Sequence, residues 1–496
     1  MNAPLSEKQR RKRLLPTAFV GAVLSGHSVL GLAVSALIYL ICLSGAIVVF
    51  AQELERWEQP AGPVLTSVTP AAIDRGLSEI YAKAGSAGGA ISVQLPSGAS
   101  PRFVLIGGSV EGGSNKWIAD ANGRLVEPVA HPATDFLVAL HANLHLPRIF
   151  GLAVVGLIGV ALLALLISGV LAHPRIFREA FTLRRGGSLR LQEADLHNRL
   201  GTWGMPFFIL VTLTGTVLGA FLLMFGGMAA TAYKGDFRRA LTEIVGPLES
   251  REDRKPAAIP SMAPFLASMK AREPAAQIQS VEIQHPGTRG QSITMFFEGA
   301  GRLSHDQRYI FDAGGQVTSS PRIQPRSLGT RALLSLPPLH FGWFGGPATK
   351  IAYGLLGIAL CVVTSSGMTI WFARRRDQGR PVPAWERFWT ATAWGQPAIF
   401  AFVAILPLMG IHDHSLFAWI VMTALVYAAV CTALPDKIFG VAFRWSVALL
   451  MALLAIAHVM RWIGTAQDSM AWAIDTAILA GAGLIAVSAK RRRCAA

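Results

Sequence analysis

The chain has 496 residues, of which 52% are hydrophobic and only 15% are charged, whereas soluble proteins carry about 25% charged residues. This composition excludes an ordinary soluble enzyme and predicts a chain that lies largely in a bilayer. The formal net charge is +16, but the arginines cluster beside apolar runs, which indicates membrane orientation rather than nucleic-acid binding. The four cysteines form no CxxC pair, which argues against disulfide frameworks, zinc sites and cysteine-ligated iron–sulfur clusters.

Apolar runs of about 20 residues are typical of membrane-spanning helices, and the sequence contains four strong runs and four further ones. The first run follows a basic start, as in a signal peptide. It is far longer than the apolar core of a signal peptide, so we expect it to be retained as a helix. The predicted fold class is an all-α polytopic membrane bundle of about eight helices. The runs cover residues 18–50, 148–172, 203–227, 348–372, 389–410, 415–434, 443–462 and 470–489.

Four clusters of basic residues set the predicted orientation. With eight spans, all four clusters fall on one face of the membrane, and the positive-inside rule makes that face cytoplasmic. We therefore expect a bacterial inner-membrane protein with both termini in the cytoplasm. The clusters lie at 8–13, 175–190, 374–376 and 490–493.

Two long polar segments would then lie in the periplasm, and we expect each to fold as a small α+β domain. In each segment the pattern predicts a helix, three strands and a DxxG turn that leads into a further strand. The predicted organisation is a basic N-terminus (1–17), a first span (18–50), an outside domain (51–140), a second span (141–172), a basic loop (173–200), a third span (201–227), a second outside domain (228–345), a fourth span (346–376) and a C-terminal membrane unit of about four helices (377–496).

The most informative feature is an internal duplication. A motif His-x-x-Leu-Gly, followed 12 residues later by a hydroxyl residue and glycine, occurs twice. A motif Leu-His, followed by Gly-x-x-Gly and Ser-Gly, also occurs twice. The unit of helix, outside domain and helix is therefore repeated in the same direction, as in a parallel repeat about the membrane normal. The first motif begins at His27 and His197, with pairs at Ser44-Gly45 and Thr214-Gly215; the second contains His141, Gly156, Gly159 and Ser168-Gly169 in one copy and His340, Gly354, Gly357 and Ser366-Gly367 in the other.

Each unit carries one histidine near the cytoplasmic end of its first helix and one near the periplasmic end of its second. A pseudo-two-fold axis would bring His27 towards His197 and His141 towards His340. Two histidines that face each other across a bundle can supply both axial ligands of a haem, and glycines beside them would let a flat macrocycle approach the backbone. Interfacial histidines solvated by water or headgroups are the alternative for any single position. Four repeat-related positions favour haem, since ionisable residues at membrane depth are rare and tend to be functional.

Over about residues 15–376 these motifs resemble the PepSY-associated transmembrane family, which includes iron-regulated membrane proteins and siderophore-iron reductases. The resemblance implies binding of b-type haem, electron transfer across the inner membrane and reduction of ferric iron, often siderophore-bound. It also implies that the outside segments are PepSY-like modules and that His27, His141, His197 and His340 are the haem ligands, two haems in all. Besides the two motifs, the resemblance is carried by residues 195–201, Trp203, Pro206, Leu339-His340-Phe-Gly342 and the stretch from Trp371 to Arg376.

Other histidines compete with these four. His145 lies one helical turn after His141 and could ligate the outer site, although the repeat alignment favours His141. His173 ends the second span on the cytoplasmic side and could replace or support either inner ligand, although the pair of His27 and His197 is favoured.

A further group of histidines shares the periplasmic face of the C-terminal unit. His412 and His414 lie in a predicted turn, and His458 lies near the outer end of the seventh span. A third metal or haem site is one interpretation; a solvated turn and a packed histidine are the favoured one. The remaining histidines, predicted to be surface residues of the outside domains, are His131, His285 and His305.

The predicted activity is that of an oxidoreductase that relays electrons. An electron would enter the inner haem from a cytoplasmic reductase or from the quinol pool and pass through the outer haem to a periplasmic acceptor, ferric iron or a ferric siderophore. No flavin or nicotinamide module follows a predicted strand, so the donor must be a separate partner. Trp117, Trp343 and Phe344 could lie near the acceptor, although a role as membrane-interface aromatics is favoured.

Two other function classes fit parts of the pattern. An iron-chelate transporter or permease would use the parallel repeat, but the first two spans contain no Asp or Glu, and proton relays often use such groups. A non-redox sensor or assembly protein would use its PepSY-like modules to bind a periplasmic partner. The sequence does not indicate a role for the helices after about residue 388.

Overall fold

The structure of the protein is a computed structural model. Two of the predicted basic clusters (8–13 and most of 175–190) and His305 lie outside the described residues. The structure describes residues 16–84, 89–108, 115–173, 189–237, 239–240, 242, 253–298, 307–320, 327–432 and 436–494.

Helices make up most of the described chain. A π-helical turn at Ala391–Gly395 joins two of them into one continuous span, and a 3-10 turn at Ala429–Cys431 extends another. In chain order the helices are α1 (Thr17–Val48), α2 (Ala51–Glu58), α3 (Pro70–Ala84), α4 (Pro132–Asn143), α5 (Arg148–Ala172), α6 (Leu189–Trp203), α7 (Met205–Ala232), α8 (Ala263–Arg272), α9 (Leu328–Phe341), α10 (Gly346–Asp377), α11 (Pro383–Thr390), α12 (Gln396–Leu408), α13 (Ser415–Ala428), α14 (Asp436–Trp462) and α15 (Met470–Cys494).

Seven candidate membrane spans are found among the described residues: α1, α5, α7, α10, the continuous pair α11–α12, α14 and α15. Seven of the eight predicted spans are thereby confirmed as helices of sufficient length and hydropathy. The remaining run, 415–434, forms a shorter apolar helix over Ser415–Cys431. At 1.5 Å per residue this helix is about 25 Å long, which is less than the ~30 Å thickness of a hydrocarbon core.

Three of the four predicted ligand histidines lie on short helices that precede the spans. His141 lies on α4, His197 on α6 and His340 on α9, whereas hydropathy alone had placed His141 in a span and His197 in a loop. Helices α4 and α9 end in residues with left-handed backbone, Leu144 (φ 54°) and Gly342 (φ 70°), a conformation that terminates helices. These breaks are invisible to hydropathy because the flanking residues are apolar.

Glycines bring the four spans of the duplicated region together. A Cβ on Gly156 of α5 would lie 3.0 Å from the Ala220 nitrogen of α7, and a Cβ on Gly357 of α10 would lie 3.2 Å from the Ala46 Cα of α1. The second span of each repeat therefore packs against the first span of the other. Small residues at such crossings allow close backbone approach within a membrane, which explains the repeated Gly-x-x-Gly motif.

The two polar segments contribute four strands each to a single antiparallel sheet. Its order is β4-β3-β2-β1-β5-β6-β7-β8. The strands are β1 (Ile91–Gln94), β2 (Phe103–Ile106), β3 (Lys116–Ala119), β4 (Leu125–Pro128), β5 (Gln277–Gln284), β6 (Ser292–Glu298), β7 (Gln307–Asp312) and β8 (Val317–Ser319).

The first strands of the two segments pair at the centre of this sheet. β1 runs antiparallel to β5, with Val93 opposite Val281 and Ile91 opposite Ile283. The two halves are therefore related by a pseudo-two-fold axis, in keeping with the duplication of the helices. The helix and strands predicted in each segment are confirmed, and the two expected domains are joined edge to edge.

One hydrophobic core serves both halves of the sheet. Alternate strand residues point to one face, and α3 and α8 contribute side chains to that core. The fully or nearly fully buried core residues include Leu77, Ile80, Val93, Phe103 and Leu105 from the first segment and Met262, Met269, Val281, Ile283, Ile293 and Phe311 from the second.

Replacement of Ile283 by alanine tests this shared core. The loss of a buried isoleucine is expected to destabilise the sheet domain by about 2–5 kcal/mol. Because the core is common to both halves, amide hydrogen exchange measured on the full chain in detergent should accelerate in β1 and β2 as well as in β5 to β7. Gln94→Ala, at an exposed position of β1, is the control and should leave exchange unchanged. Acceleration confined to β5–β8 would mean that the halves fold independently.

Candidate functional site

Two predicted ligand histidines meet at the end of the bundle nearest the sheet. The rings of His141 and His340, which we call the sheet-side pair, have centres 6.0 Å apart and planes inclined by 22°. A metal–imidazole bond is about 2 Å long, so two rings that bind one metal ion from opposite sides have their centres roughly 6 Å apart. The observed separation therefore fits a site in which both histidines ligate the same ion.

Each ring of the sheet-side pair is oriented by the first span of its own repeat. His141 Nδ1 lies 2.9 Å from the Ile41 carbonyl oxygen on α1. A Cβ on Gly45 would lie only 2.7 Å from the His141 ring, so the ring occupies space that only glycine leaves open. The equivalent contacts of His340 on α7 are the Val211 carbonyl at 3.1 Å, the Thr214 hydroxyl at 3.1 Å and Gly215, whose Cβ would lie 2.7 Å from the ring.

The other two predicted ligands, His27 and His197, form the far-side pair. Their contacts match between the two repeats. His27 Nδ1 lies 3.0 Å from the Ser168 hydroxyl, and a Cβ on Gly169 would lie 3.4 Å from the ring. The equivalent contacts of His197 on α10 are the Val363 carbonyl at 2.9 Å, the Ser366 hydroxyl at 3.1 Å and Gly367, whose Cβ would lie 3.3 Å from the ring.

Every hydroxyl–glycine pair of the duplication therefore contacts one of the four histidines. The four glycines of these pairs leave room for the imidazole rings, which a neighbouring carbonyl or hydroxyl orients. That glycines beside the histidines also admit a macrocycle stays a prediction. Gly201, one turn after His197, differs, since no heavy atom lies within 4 Å of a Cβ built there. That position is therefore open where a side chain would project.

A cavity lies between the spans around the sheet-side pair. Its volume of about 240 Å³ is several times the ~30 Å³ share of one water molecule in the liquid, so it is more than a packing defect. It is lined by both histidine rings and by small or apolar residues of α1, α5, α7 and α10, among them Cys42, Gly159 and Thr216.

The four histidines fit haem better than a bare metal ion. A metal ion held by protein alone usually takes three or four side-chain ligands, and no group of three or more His, Cys, Asp or Glu is suitably placed among the described residues. Two axial histidines are sufficient where a porphyrin supplies the other ligands. In the described part of the chain Nδ1 of each histidine is hydrogen-bonded, and Nε2 has no hydrogen-bond partner.

The competing histidines have other contacts. His145 Nε2 lies 2.9 Å from the Phe136 carbonyl, and its ring stacks on the Phe136 ring with centres 4.7 Å apart. Its nitrogen is thus already engaged, which supports His141 as the sheet-side ligand. His173 follows α5, one turn beyond Gly169, and its amide donates to the Val170 carbonyl. The hydroxyl and glycine contacts that match between the two repeats belong to His27 and His197.

The histidines of the C-terminal unit do not form a common site. His412 and His414 are exposed in the turn before α13. His458 is fully buried, and its two ring nitrogens bind the Trp57 carbonyl (2.7 Å) and the Asp475 carboxylate (2.9 Å). The favoured interpretation, a solvated turn and a packed histidine, therefore agrees with the structure.

Two of the residues expected at the surface behave differently from each other. His285 is exposed. His131 is half-buried before α4, and burial together with the nearby Lys116 and Arg102 charges lowers its pKa to about 4. It is therefore neutral at physiological pH.

Of the three aromatic residues considered for an acceptor site, Trp343 is connected to the sheet-side pair. The His340 ring centre lies 5.3 Å from that of Phe341, which lies 4.7 Å from that of Trp343. Trp343 is 43% exposed, so this row of rings reaches the surface. Trp117 lies on β3 under Lys83, and Phe344 packs near Tyr353.

The part of the sequence that contains the duplicated helix unit matches a family model. The model of the PepSY-associated TM region matches residues 24–374. The chain belongs to the PepSY-associated transmembrane family. The match covers both histidine pairs and both halves of the sheet and ends before α11.

A relative of this PepSY-associated protein is the uncharacterized protein PA4219 of Pseudomonas aeruginosa. The two are 30% identical over 254 residues, which is 49% of this chain and 64% of the relative. The match thus spans less than two thirds of the relative's length.

Proposed function

We propose that this protein is a dihaem electron-transfer protein of the bacterial inner membrane that reduces a periplasmic ferric acceptor. One b-type haem would be held by His141 and His340 and the other by His27 and His197. The observation that carries the proposal is the sheet-side pair, with two imidazoles 6.0 Å apart beside a cavity between four spans. Bound haem supplies one-electron chemistry, and the protein positions and tunes it.

The hydrogen bonds of the chain prepare each histidine as a ligand. A carbonyl oxygen can only accept, so the contacts to Ile41, Val211 and Val363 fix the proton of each ring on Nδ1. The Ser168 hydroxyl donates to the Leu165 carbonyl and is left to accept from His27. All four rings therefore present an unprotonated Nε2, the form that ligates iron, and such orienting contacts also raise ligand basicity.

The two pairs lie at opposite ends of the same helices, as an electron relay requires. The contacts of His141 centre on residues 41–45 of α1, which are about 16 residues and hence about 24 Å along the helix from His27. The two pairs are therefore separated by most of the ~30 Å thickness of the hydrocarbon core, and haems held by them would supply electron transfer between its two sides.

The proposed direction is from the far-side pair to the sheet-side pair. Arg374, Arg375 and Arg376 end α10 at the end away from the sheet, which supports a cytoplasmic location for that end. The donor would be a cytoplasmic reductase or quinol. The acceptor would be ferric iron or a ferric siderophore near the sheet and Trp343, and each electron passed would oxidise one haem iron and reduce one acceptor iron to the ferrous state.

Spectroscopy of the purified full-length protein tests this proposal. We expect reduced-minus-oxidised bands of b-type haem at about two haems per chain, and reoxidation of the reduced protein when a ferric chelate is added without oxygen. A colourless protein that is fully inserted in the membrane would contradict the proposal. Uptake of labelled iron chelate by such a protein in vesicles would then favour a transporter or permease, and its absence a non-redox sensor or assembly protein.

A further inference from the structure

Helix α2 is short and highly charged, yet its residues are buried or partly buried. Five of its eight residues, AQELERWE, are polar or charged, and none of the eight is exposed. A charged amphipathic helix normally keeps its polar face in water. Four of its polar side chains, those of Gln52, Glu53, Arg56 and Glu58, bind to other elements instead, and these elements lie on two sides of α2.

Trp57 attaches α2 to the C-terminal membrane helices. Its indole N–H donates to Asp475 of α15 at 2.9 Å, and its ring stacks on His458 of α14 with centres 4.3 Å apart. His458 in turn binds both the Trp57 carbonyl and the Asp475 carboxylate. The three side chains are buried, so they form a closed network in which every partner fixes the other two.

Arg56 provides a second attachment to the same unit. Its guanidinium binds both carboxylate oxygens of Asp468, each at 2.8 Å, and Asp468 lies in the loop between α14 and α15. Arg102, next to β2, also binds Asp468 at 3.2 Å. Bidentate arginine–carboxylate pairs are specific in geometry as well as strong. The loop therefore holds α2 in a defined position relative to the sheet.

On its other side, α2 binds the helix that carries His141. The Glu58 carboxylate accepts hydrogen bonds from the amides of Ala133 (2.9 Å) and Thr134 (2.8 Å) and from the Thr134 hydroxyl. Amides in the first turn of a helix have no acceptor within the helix, so Glu58 caps α4 from outside. His141 lies on α4 about two turns further along.

A second contact connects α2 to the other sheet-side histidine. The buried Lys350 of α10 lies 2.7 Å from the Glu53 carboxylate. One turn later on α10, the Tyr353 hydroxyl donates to the Leu339 carbonyl at 2.7 Å. Leu339 immediately precedes His340, so α2 is linked to the segments that carry both members of the sheet-side pair.

We propose that α2 is a strut through which the C-terminal membrane unit (383–494) fixes the sheet-side pair, with Glu58 as the positioning residue for His141. This rests on the proposed function, because the position of the pair matters for binding a haem. The proposal assigns a role to the C-terminal membrane unit, which lies beyond the family match. The described residues of that unit make none of the contacts given above for either histidine pair.

Ionisation of Glu58 adds a pH dependence that a purely apolar contact would not have. Burial raises the pKa of Glu58 to about 7; the hydrogen bonds from Thr134 and Ala133 oppose this rise, and Asp135, the charged group that faces it from α4, adds to it. The folded pKa lies above the ordinary value of 4.5. The contribution of Glu58 to the stability of the folded state is therefore full below about pH 4 and is lost as the pH rises through about 7.

The pH profile of amide hydrogen exchange in residues 132–143 measures the contact between Glu58 and α4, and this measurement does not require bound haem. After correction for intrinsic rates, exchange should accelerate from about pH 5 to pH 7, by at most about tenfold per pH unit, and then level off. Glu58→Gln should remove the part of this dependence that comes from Glu58, because the amide does not ionise but still offers an oxygen to accept from α4. Glu55, Asp135 and His131, whose pKa values burial also shifts, titrate in both proteins, so the difference between the two profiles measures Glu58.

Variants of both attachments test the strut itself. Glu58→Ala and Asp468→Asn are expected to accelerate exchange in 132–143, to shift the midpoint potential of the sheet-side haem and to lower its affinity on the order of tenfold, as for other residues that orient a ligating histidine. The far-side haem should be unchanged, and Glu58→Gln should largely restore the affinity. The matched control is Asp377→Asn, which breaks an exposed ion pair with Arg190 and should alter neither haem.

The outcomes separate this inference from the function on which it rests. If the protein binds two haems and Glu58→Ala and Asp468→Asn leave exchange and the sheet-side potential unchanged, α2 is not a strut. Equal loss of both haems in these variants would also count against it, since the far-side haem reports on the integrity of the bundle. A natural protein without haem would overturn the proposed function. Exchange in 132–143 would still decide whether α2 holds α4, separately from the direct apolar packing of Phe136 and Leu140 on Ile399 and Phe400.

Discussion

His340→Ala is expected to remove one of two haems and to leave the other with an unaltered spectrum and potential. His340 supplies one of the two imidazoles of the sheet-side pair, and the far-side pair draws its contacts from α5 and α10 at the other end of the bundle. His197→Ala should produce the complementary loss. The haem content per chain, with a redox titration of each variant, measures both effects.

The control for this experiment is His145→Ala, because His145 lies one turn from His141 but binds the Phe136 carbonyl. It should retain both haems. Imidazole added to His340→Ala should restore the sheet-side haem if the cavity left by the side chain is otherwise intact. Retention of both haems in His340→Ala and in His197→Ala would refute the ligand assignment, and loss of the sheet-side haem in His145→Ala would transfer the role of His141 to His145.

Gly215→Ala is expected to weaken the sheet-side haem site on the order of tenfold, comparable to other changes that displace a ligating histidine. The added methyl group would lie 2.7 Å from His340 Cε1, and the ring cannot move away without losing its contacts to Val211 and Thr214. The haem titration of detergent-purified protein, together with the spectrum of the bound sheet-side haem, measures the effect.

Gly227→Ala on the same helix is the matched control. No heavy atom lies within 4 Å of a Cβ at that position, so the variant should keep both haems, and the higher helix propensity of alanine should if anything stabilise α7 by a few tenths to about 1 kcal/mol. A Gly215→Ala protein with an unchanged sheet-side haem would mean that His340 does not lie against α7.

The repeat explains how so much of the candidate site could be predicted. A histidine alone has many interpretations, but four histidines at duplicated positions, each in register with a hydroxyl–glycine pair, do not recur by chance. The contacts of His141 with Gly45 and of His340 with Gly215 are local to each repeat, and a repeat preserves local contacts. For this reason the same spacing between a histidine and a hydroxyl–glycine pair appears twice in the sequence, and this spacing identifies the four histidines.

Contacts between distant parts of the chain gave no comparable signal. Trp57 binds His458 and Asp475 across about 400 residues, and neither member of such a pair has a sequence motif of its own. The same holds for Glu58, which is an ordinary helix-end glutamate in sequence. Its role as a cap for α4 exists only because folding brings α4 to it.

The sequence by itself determined seven membrane-spanning helices, the strands of the polar segments, the duplication and the choice of four histidines. Hydropathy, strand alternation and repetition can all be detected from the order of neighbouring residues along the chain. Only the tertiary structure decided that the two polar segments share one sheet, that the sheet-side rings lie 6.0 Å apart and that glycines make room for rings. It also decided that the C-terminal helices attach to α2. These features depend on which surfaces pack together, and packing is set by complementarity between segments that are far apart in sequence.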